Sequence, residues 1–309
     1  MSTPGAALSP HRGGLGWAFL GVVLFSFSLP MTVWALEGFS PFFTATARAV
    51  IAGLVALVVL LVKRVPWPHR SLYRPLLYTM AGAVFGWPIL IALALQRTTS
   101  AHTAVIAAIM PLTTAVLAVL RTKEIMPRQF WYAAGLGTLA LIVFALSRGG
   151  LSGGDAVADV LIVLAVLSSS WCYVEGAVLT RIMPGWQVIS WVVVLALPLT
   201  IPLSVIIWLA TSDSHTVTAQ SLFGLAVLGL SSMYLGFFAW YRGLAEAGVA
   251  RGAQMQQLQA PLTLVWSVLL LGEIVTWGTL AATTVIIVAV AWAQRVRLGP
   301  GPQPGPPAD

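Results

Sequence analysis

Four glutamines, Gln254, Gln256, Gln257 and Gln259, stand within six residues just before Pro261, in a stretch that is otherwise apolar. A side-chain amide both donates and accepts hydrogen bonds, which suits the carboxylate and ammonium groups of a zwitterion. Gln254, Gln257 and Pro261 share one helical face at spacings of three and four. Ser168, Ser169, Ser170, Trp171, Tyr173 and Glu175 form a second polar stretch inside an apolar run. Glu175 is an acid well inside a predicted helix. It is suited to hold an ammonium or a coupling proton, or it is an interfacial carboxylate beside Arg181, about 9 Å further along the helix. The chemistry these groups offer is binding and release, not bond making.

Other candidates are scattered. Tyr78, Trp87, Trp171 and Tyr234 have faces on which an aromatic or apolar substrate side chain would stack, although aromatic residues also belt membrane interfaces and pack helices. Ser26 has a hydroxyl inside the first apolar run, and His102 opens a later one, close to an interface where histidine is usually solvated. Arg48, inside the second run, reads as half of a structural ion pair with Glu37. Gly150 to Gly154 spells G-x-S-x-G, which as a nucleophile elbow needs a strand before and a helix after. It falls between helical runs and reads as a connection. The single cysteine, Cys172, sets up neither a disulfide framework nor a metal cluster, so no metal and no cofactor is expected.

The elements that carry these residues belong in a bilayer. At 59% hydrophobic and 8% charged residues the chain has too few charges to cover a soluble surface. Mean hydropathy is +0.92. Apolar runs of about 20 residues, the length that crosses roughly 30 Å of hydrocarbon, occur at 14–36, 41–62, 75–95, 99–120, 129–147, 157–179, 187–210, 220–241, 252–272 and 275–294. The expectation is an all-α integral membrane protein of ten transmembrane helices. The first run is too long for a signal-peptide core and reads as a retained span.

Lys and Arg set the orientation. With the N-terminus inside, the cytoplasmic segments hold Arg12, Lys63, Arg64, Arg70, Arg74, Arg121, Lys123, Arg128, Arg181, Arg242, Arg251, Arg295 and Arg297, which leaves Arg48, Arg97 and Arg148 elsewhere. Both termini are therefore expected in the cytoplasm. The net charge of +7 belongs to this pattern and not to nucleic acid binding.

The chain also repeats itself. Pro111-Leu112-Thr113 returns 150 residues later as Pro261-Leu262-Thr263, and Ala104 and Ala107 are the mates of Gln254 and Gln257. Gly82 and Gly86 match Ser232 and Gly236, two small-x-x-x-small pairs that let helices pack closely. At an offset of 143, Ser26 matches Ser169 and Pro41 matches Pro184. The divisions are a tail at 1–13, a first repeat of five helices at 14–147, a connecting loop at 148–156, a second repeat at 157–295 and a disordered tail at 296–309. An odd number of spans per repeat turns the second over, giving an inverted repeat. Such repeats place a substrate site at the bilayer midplane between the halves. Pro30, Pro111 and Pro261 are expected to kink their helices, each removing a backbone donor.

The ten spans, the two halves and the Pro-Leu-Thr pattern closing on Glu124 and Glu273 resemble the drug/metabolite transporter superfamily. Within it, residues 14–295 resemble the EamA-type exporters and are most similar to bacterial amino-acid exporters of the YddG type. The resemblance implies export of amino acids, aromatic ones included, through a central cavity, from a bacterial inner membrane. Arg48 matches an arginine common in that family, whereas its repeat mate is Trp191. The substrate path is then expected to include Ser26, Tyr78, Trp87, His102, Trp171, Glu175, Tyr234, Gln254 and Gln257. The expected partners are a small-molecule substrate and the lipid bilayer, with the chain a monomer or a homodimer. Two other readings stand beside this one. A drug or nucleotide-sugar carrier of the same fold would want a buried basic cluster for phosphate. An intramembrane lipid-linked transferase would need acidic or metal-binding residues at the membrane face, and Glu37, Glu124, Glu246 and Glu273 lie on different sides.

Overall fold

The computed structural model describes residues 12–95, 97, 98, 103, 106–123, 126–147, 155–211, 216–271 and 277–295. Among these the chain is helical, without a strand. Its segments join into rods. Rod α1 runs Arg12–Ser26 and, after a break at Phe27, Ser28–Leu36; α2 is Pro41–Val62. Rod α3 is Tyr73–Met80, a π-helical stretch Ala81–Gly86, and Trp87–Leu95. Then follow α4 (Met110–Thr122), α5 (Arg128–Ser147), α6 (Ala156–Leu179) and α7 (Gly185–Ala210). Rod α8 is Ala219–Val227, a π-helical stretch Leu228–Leu235, and Gly236–Ala247. Rod α9 is Val249–Ala253, a 3₁₀ stretch Gln254–Leu258, and Gln259–Leu271; α10 is Trp277–Arg295. Gly13–Leu36, Pro41–Val62, Ala156–Leu179, Gly185–Ala210 and Ala219–Ala247 are each long and apolar enough to cross a membrane.

Local sequence explains the starts. Ser40 accepts from the Phe43 amide ahead of Pro41, Asp155 accepts from Ala158 ahead of α6, and Thr218 with Ser221 forms a capping box ahead of α8.

The packing repeats with the sequence. Rod α1 lies along α8 and α6 lies along α3; α9 meets α1 and α4 meets α6; α2 pairs with α7, α5 with α10 and α4 with α9. Exchanging the first five rods for the last five leaves this pattern unchanged. The halves are also opposed in direction. The start of α1 meets the end of α8, where Gly14 lies against Glu246 and Ala247 and the Arg242 guanidinium covers the Trp17 ring at 4.2 Å. The end of α6 reaches that same region, since Thr180 shares with Arg242 and Glu246 the wall of a cavity of about 360 Å³. The start of α6 lies at the opposite end, where Asp155 meets Arg97 beyond α3 at 3.8 Å.

Glycines let the crossing rods touch. A Cβ at Gly86 would strike the Ser168 hydroxyl, and one at Gly82 would lie 2.5 Å from Cys172 Cβ, so α3 rests directly on α6. On the mate surface a Cβ at Gly236 would lie 2.7 Å from the Phe25 ring of α1.

Candidate functional site

Irregular helix concentrates on repeat-equivalent elements. Rods α3 and α8 each carry a π-helical stretch, and α4 and α9 are each interrupted just ahead of Pro-Leu-Thr. Proline explains where the breaks fall. Pro30 is the third residue of its helical segment, Pro111 the second and Pro261 the third. In a first turn the missing N–H has no acceptor within its own segment, so the ring starts a segment and the break precedes it. Pro30 leaves the Ser26 carbonyl without its helical donor, and the Thr263 hydroxyl of α9 supplies one at 3.1 Å. The Ser26 hydroxyl donates to the Val23 carbonyl at 2.6 Å and accepts from the Trp266 indole at 2.9 Å, while Phe27 stacks on Trp266 at 4.3 Å. The break in α1 is thus held by α9.

The glutamines lie at the crossing of α9 with α4. Gln254 and Gln257 are buried, and Gln254 Nε2 donates to the Pro111 carbonyl at 3.2 Å. Gln257 Nε2 donates to Gln254 Oε1 at 2.7 Å and to the Ala134 carbonyl of α5 at 3.4 Å. Gly137 of α5 makes room, since any Cβ there would occupy the position of Gln257 Oε1. Gln256 turns another way and donates to the Tyr173 hydroxyl at 3.4 Å and to Met110 Sδ at 3.3 Å. The side-chain carbonyls of Gln256 and Gln257 are buried with no partner.

A second polar knot joins α1, α2 and α8. Ser28, one residue past the break, shares a hydrogen bond with Ser232 of the π-helical stretch at 2.6 Å, and Arg48 Nη2 donates to the same Ser232 hydroxyl at 3.2 Å. This corrects the expected pairing of Arg48 with Glu37. Glu37 sits at one end of the molecule, where its Oε1 accepts from Gln220 at 3.3 Å and its carbonyl accepts from Thr216 at 2.9 Å. Arg48 is the eighth residue of a helix that leads inward from that end, too far in to reach it.

Glu175 is also corrected in its partner. Its carboxylate is buried and accepts from Arg121 at the end of α4, Nε to Oε1 at 2.6 Å, and not from Arg181. Sequence separation favoured Arg181, but rod packing brings Arg121 54 residues away in sequence to the carboxylate.

The remaining expected residues are dispersed. Tyr234 is buried and bonded to Ser190 of α7 at 2.8 Å. Trp87 packs partly buried against the core. Tyr78 and Trp171 are exposed. His102 and residues 148–154, with the G-x-S-x-G match, lie outside the described residues. The structure thus gathers Ser26, Gln254 and Gln257 around α9 and leaves the aromatic candidates apart. Residues missed by sequence reasoning include Thr263 and Trp266, whose partners lie on a distant rod, and Arg121, read only as a flanking charge. The π-helical stretches were signalled only by the small residues around 82–86 and 229–236.

A buried polar centre between two opposed helical repeats, with interrupted helices on equivalent rods, defines the class of inverted-repeat membrane transporters. The chain belongs to the EamA-like transporter family, of the drug/metabolite transporter superfamily, which it matches over residues 12–146 and again over 156–294. It is 41% identical over 283 residues to the uncharacterized transporter YdeK of Bacillus subtilis, covering 91% of this chain and 97% of that one. A protein of solved crystal structure shares the fold, with a TM-score of 0.77 at 18% identity, over 93% of this chain and 99% of the other.

Proposed function

We propose that the chain exports amino acids and related small metabolites across the bacterial plasma membrane by alternating access, with all ten rods spanning the bilayer and both termini in the cytoplasm. The observation that carries this reading is the pairing of an inverted repeat with helix breaks at equivalent places in α4 and α9, joined across the repeat by the Gln254 amide on the Pro111 carbonyl. A segment that starts afresh at a break can swing without rupturing a full run of helical hydrogen bonds, so rocking of one half against the other is cheap there.

Amide and hydroxyl groups between the halves favour a small zwitterion. They offer donors and acceptors together, and transfer from water costs less when both ends of the solute find partners. The basic side chains at the end of the molecule holding Lys63, Arg242 and Arg251 favour that end as the cytoplasmic one.

The test is efflux of a panel of radiolabelled amino acids from proteoliposomes holding the purified chain, with and without an imposed pH gradient. Saturable efflux of some of them is expected. No saturable efflux of any, from correctly inserted protein, overturns the reading. Acceleration by the gradient identifies proton antiport, and indifference to it identifies facilitated diffusion.

A further inference from the structure

The end of α2 leads into a cavity of about 390 Å³, walled by leucines from the last turns of α2, by Trp67 of the connection that follows and by Trp191 of α7. Arg64 lines the same space. A guanidinium and an apolar wall therefore share one groove.

The ending of the helix puts the cation there. The Val65 amide donates to the Leu60 carbonyl and the Arg64 amide to the Leu61 carbonyl, both at 3.0 Å, the paired bonds that close a helix when the next residue turns left-handed. Arg64 is that residue, with φ 50°. Glycine is the usual occupant, because a Cβ in this conformation is crowded by the carbonyl that follows. An arginine thus stands where the backbone alone favours glycine. Trp67 is pinned from two sides. Its indole donates to the Tyr73 hydroxyl at the start of α3 at 2.6 Å, and its ring meets Trp191 edge-on at 4.8 Å. Next to Arg64, Lys63 places Nζ 5.9 Å from the Trp186 ring of α7.

The surroundings are cationic. Lys63, Arg64, Arg70 and Arg74 are exposed, and among the described residues none of them has an ion-pair partner. The sequence holds no acid between Glu37 and Glu124. Leading away from Arg64, the α2 surface is bare and apolar. Leu61, Val58 and Leu54 are exposed on one face, a wall about 10 Å long. Basic pockets between helices at the cytoplasmic side of a membrane suit acidic lipid headgroups, and tryptophans mark that depth. A soluble phosphate would leave the leucine wall without a partner.

We infer that this groove binds an acidic phospholipid, its phosphate on Arg64 and one acyl chain along Leu61, Val58 and Leu54. The groove lies between α2 of the first half and α7 of the second, so the lipid touches both halves. The ligand is independent of the solute transported; only its place in the cytoplasmic leaflet follows the proposed orientation.

Arg64→Gly tests the site without endangering the fold, since glycine suits the left-handed ending. The purified chain in detergent is titrated with phosphatidylglycerol and with phosphatidylcholine of the same acyl chains, and retained lipid is read by native mass spectrometry. Wild type is expected to hold a single phosphatidylglycerol roughly tenfold more tightly than phosphatidylcholine. In Arg64→Gly that preference is expected to fall below about threefold, with a melting temperature no lower than that of lipid-free wild type, whereas Arg64→Lys keeps most of the preference. Glycerol phosphate, a headgroup without chains, is expected not to displace the lipid. An unchanged preference in Arg64→Gly would put the lipid elsewhere on the cationic surface and overturn the assignment. Displacement by glycerol phosphate would overturn it in favour of a soluble anion, and a lipid-free dimer under the same conditions would give the groove to a second copy of the chain.

Discussion

The Glu175–Arg121 pair is unequal, with side-chain exposures of 4% and 43%. Removing Arg121 strands a buried carboxylate, whereas neutralising Glu175 leaves an arginine that turns to solvent. Breaking a buried pair costs about 3–5 kcal/mol, and the half-exposed partner puts this one at the lower end. Arg121→Ala is therefore expected to lower the melting temperature of the purified protein well below that of Glu175→Gln, which should lose about 1 kcal/mol. Equal melting temperatures would deny the asymmetry. Glu175→Gln is further expected to reduce efflux without abolishing it; complete loss of both exchange and net flux would overturn that. Gln254 and Gln257 are a different case, since each amide bond between membrane helices contributes about 0.6–2 kcal/mol. The Gln254→Ala, Gln257→Ala double variant is expected in the membrane at normal levels with a substrate KM raised severalfold. Wild-type kinetics would remove both amides from transport.

At the scale of the elements, the α3–α6 contact is made through glycine. Gly86 admits no Cβ against Ser168, whereas Gly135 of α5 has open space around it. Gly86→Val is expected to separate the two rods and deplete folded protein, by overpacking of about 1–3 kcal/mol or more. Gly135→Val should leave expression and melting unchanged. A Gly86→Val protein that melts like wild type would show that α3 has room to move off α6. The π-helical stretches of α3 and α8 widen the same two rods at equivalent places. A π-bulge lodges an extra residue in a helix and is frequent at functional sites. Gly82, Gly86, Ser232 and Gly236 signal close packing in the sequence but not this local unwinding. Small residues permit a π turn without announcing it, because the extra residue is accommodated only against a neighbour. The breaks at Pro30, Pro111 and Pro261 were more legible, since proline states its preference locally.

For the whole molecule, orientation is open to chemical labelling. Cys172 is buried, so it should stay silent toward an impermeant maleimide. Glu37 and Arg70 are exposed at opposite ends. In intact cells Glu37→Cys is expected to label from outside, and Arg70→Cys only after the membrane is opened. The reverse pattern would invert the proposed topology. The opposed halves set the places where both sides of the membrane see equivalent surfaces, but the cation at Arg48 and the carboxylate at Glu175 have no charged mates. The symmetry of the fold therefore does not extend to its chemistry.

Composition and periodicity alone determined that the chain is a helical membrane protein, because hydrocarbon admits only segments that satisfy their own backbone. The offset of 150 residues between the Pro-Leu-Thr motifs determined the duplication, and the odd number of apolar runs in each half determined its inversion. These are properties of single segments and of their spacing. Partnership is not. Whether Arg48 meets Glu37 or Ser232, whether Glu175 meets Arg181 or Arg121, and whether Gln254 faces a path or the Pro111 carbonyl depends on which rods cross and at what height. In an apolar medium many crossings are nearly equal in hydrophobic energy, so glycine contacts and a few polar bonds decide among them. Only the tertiary structure brings those terms together.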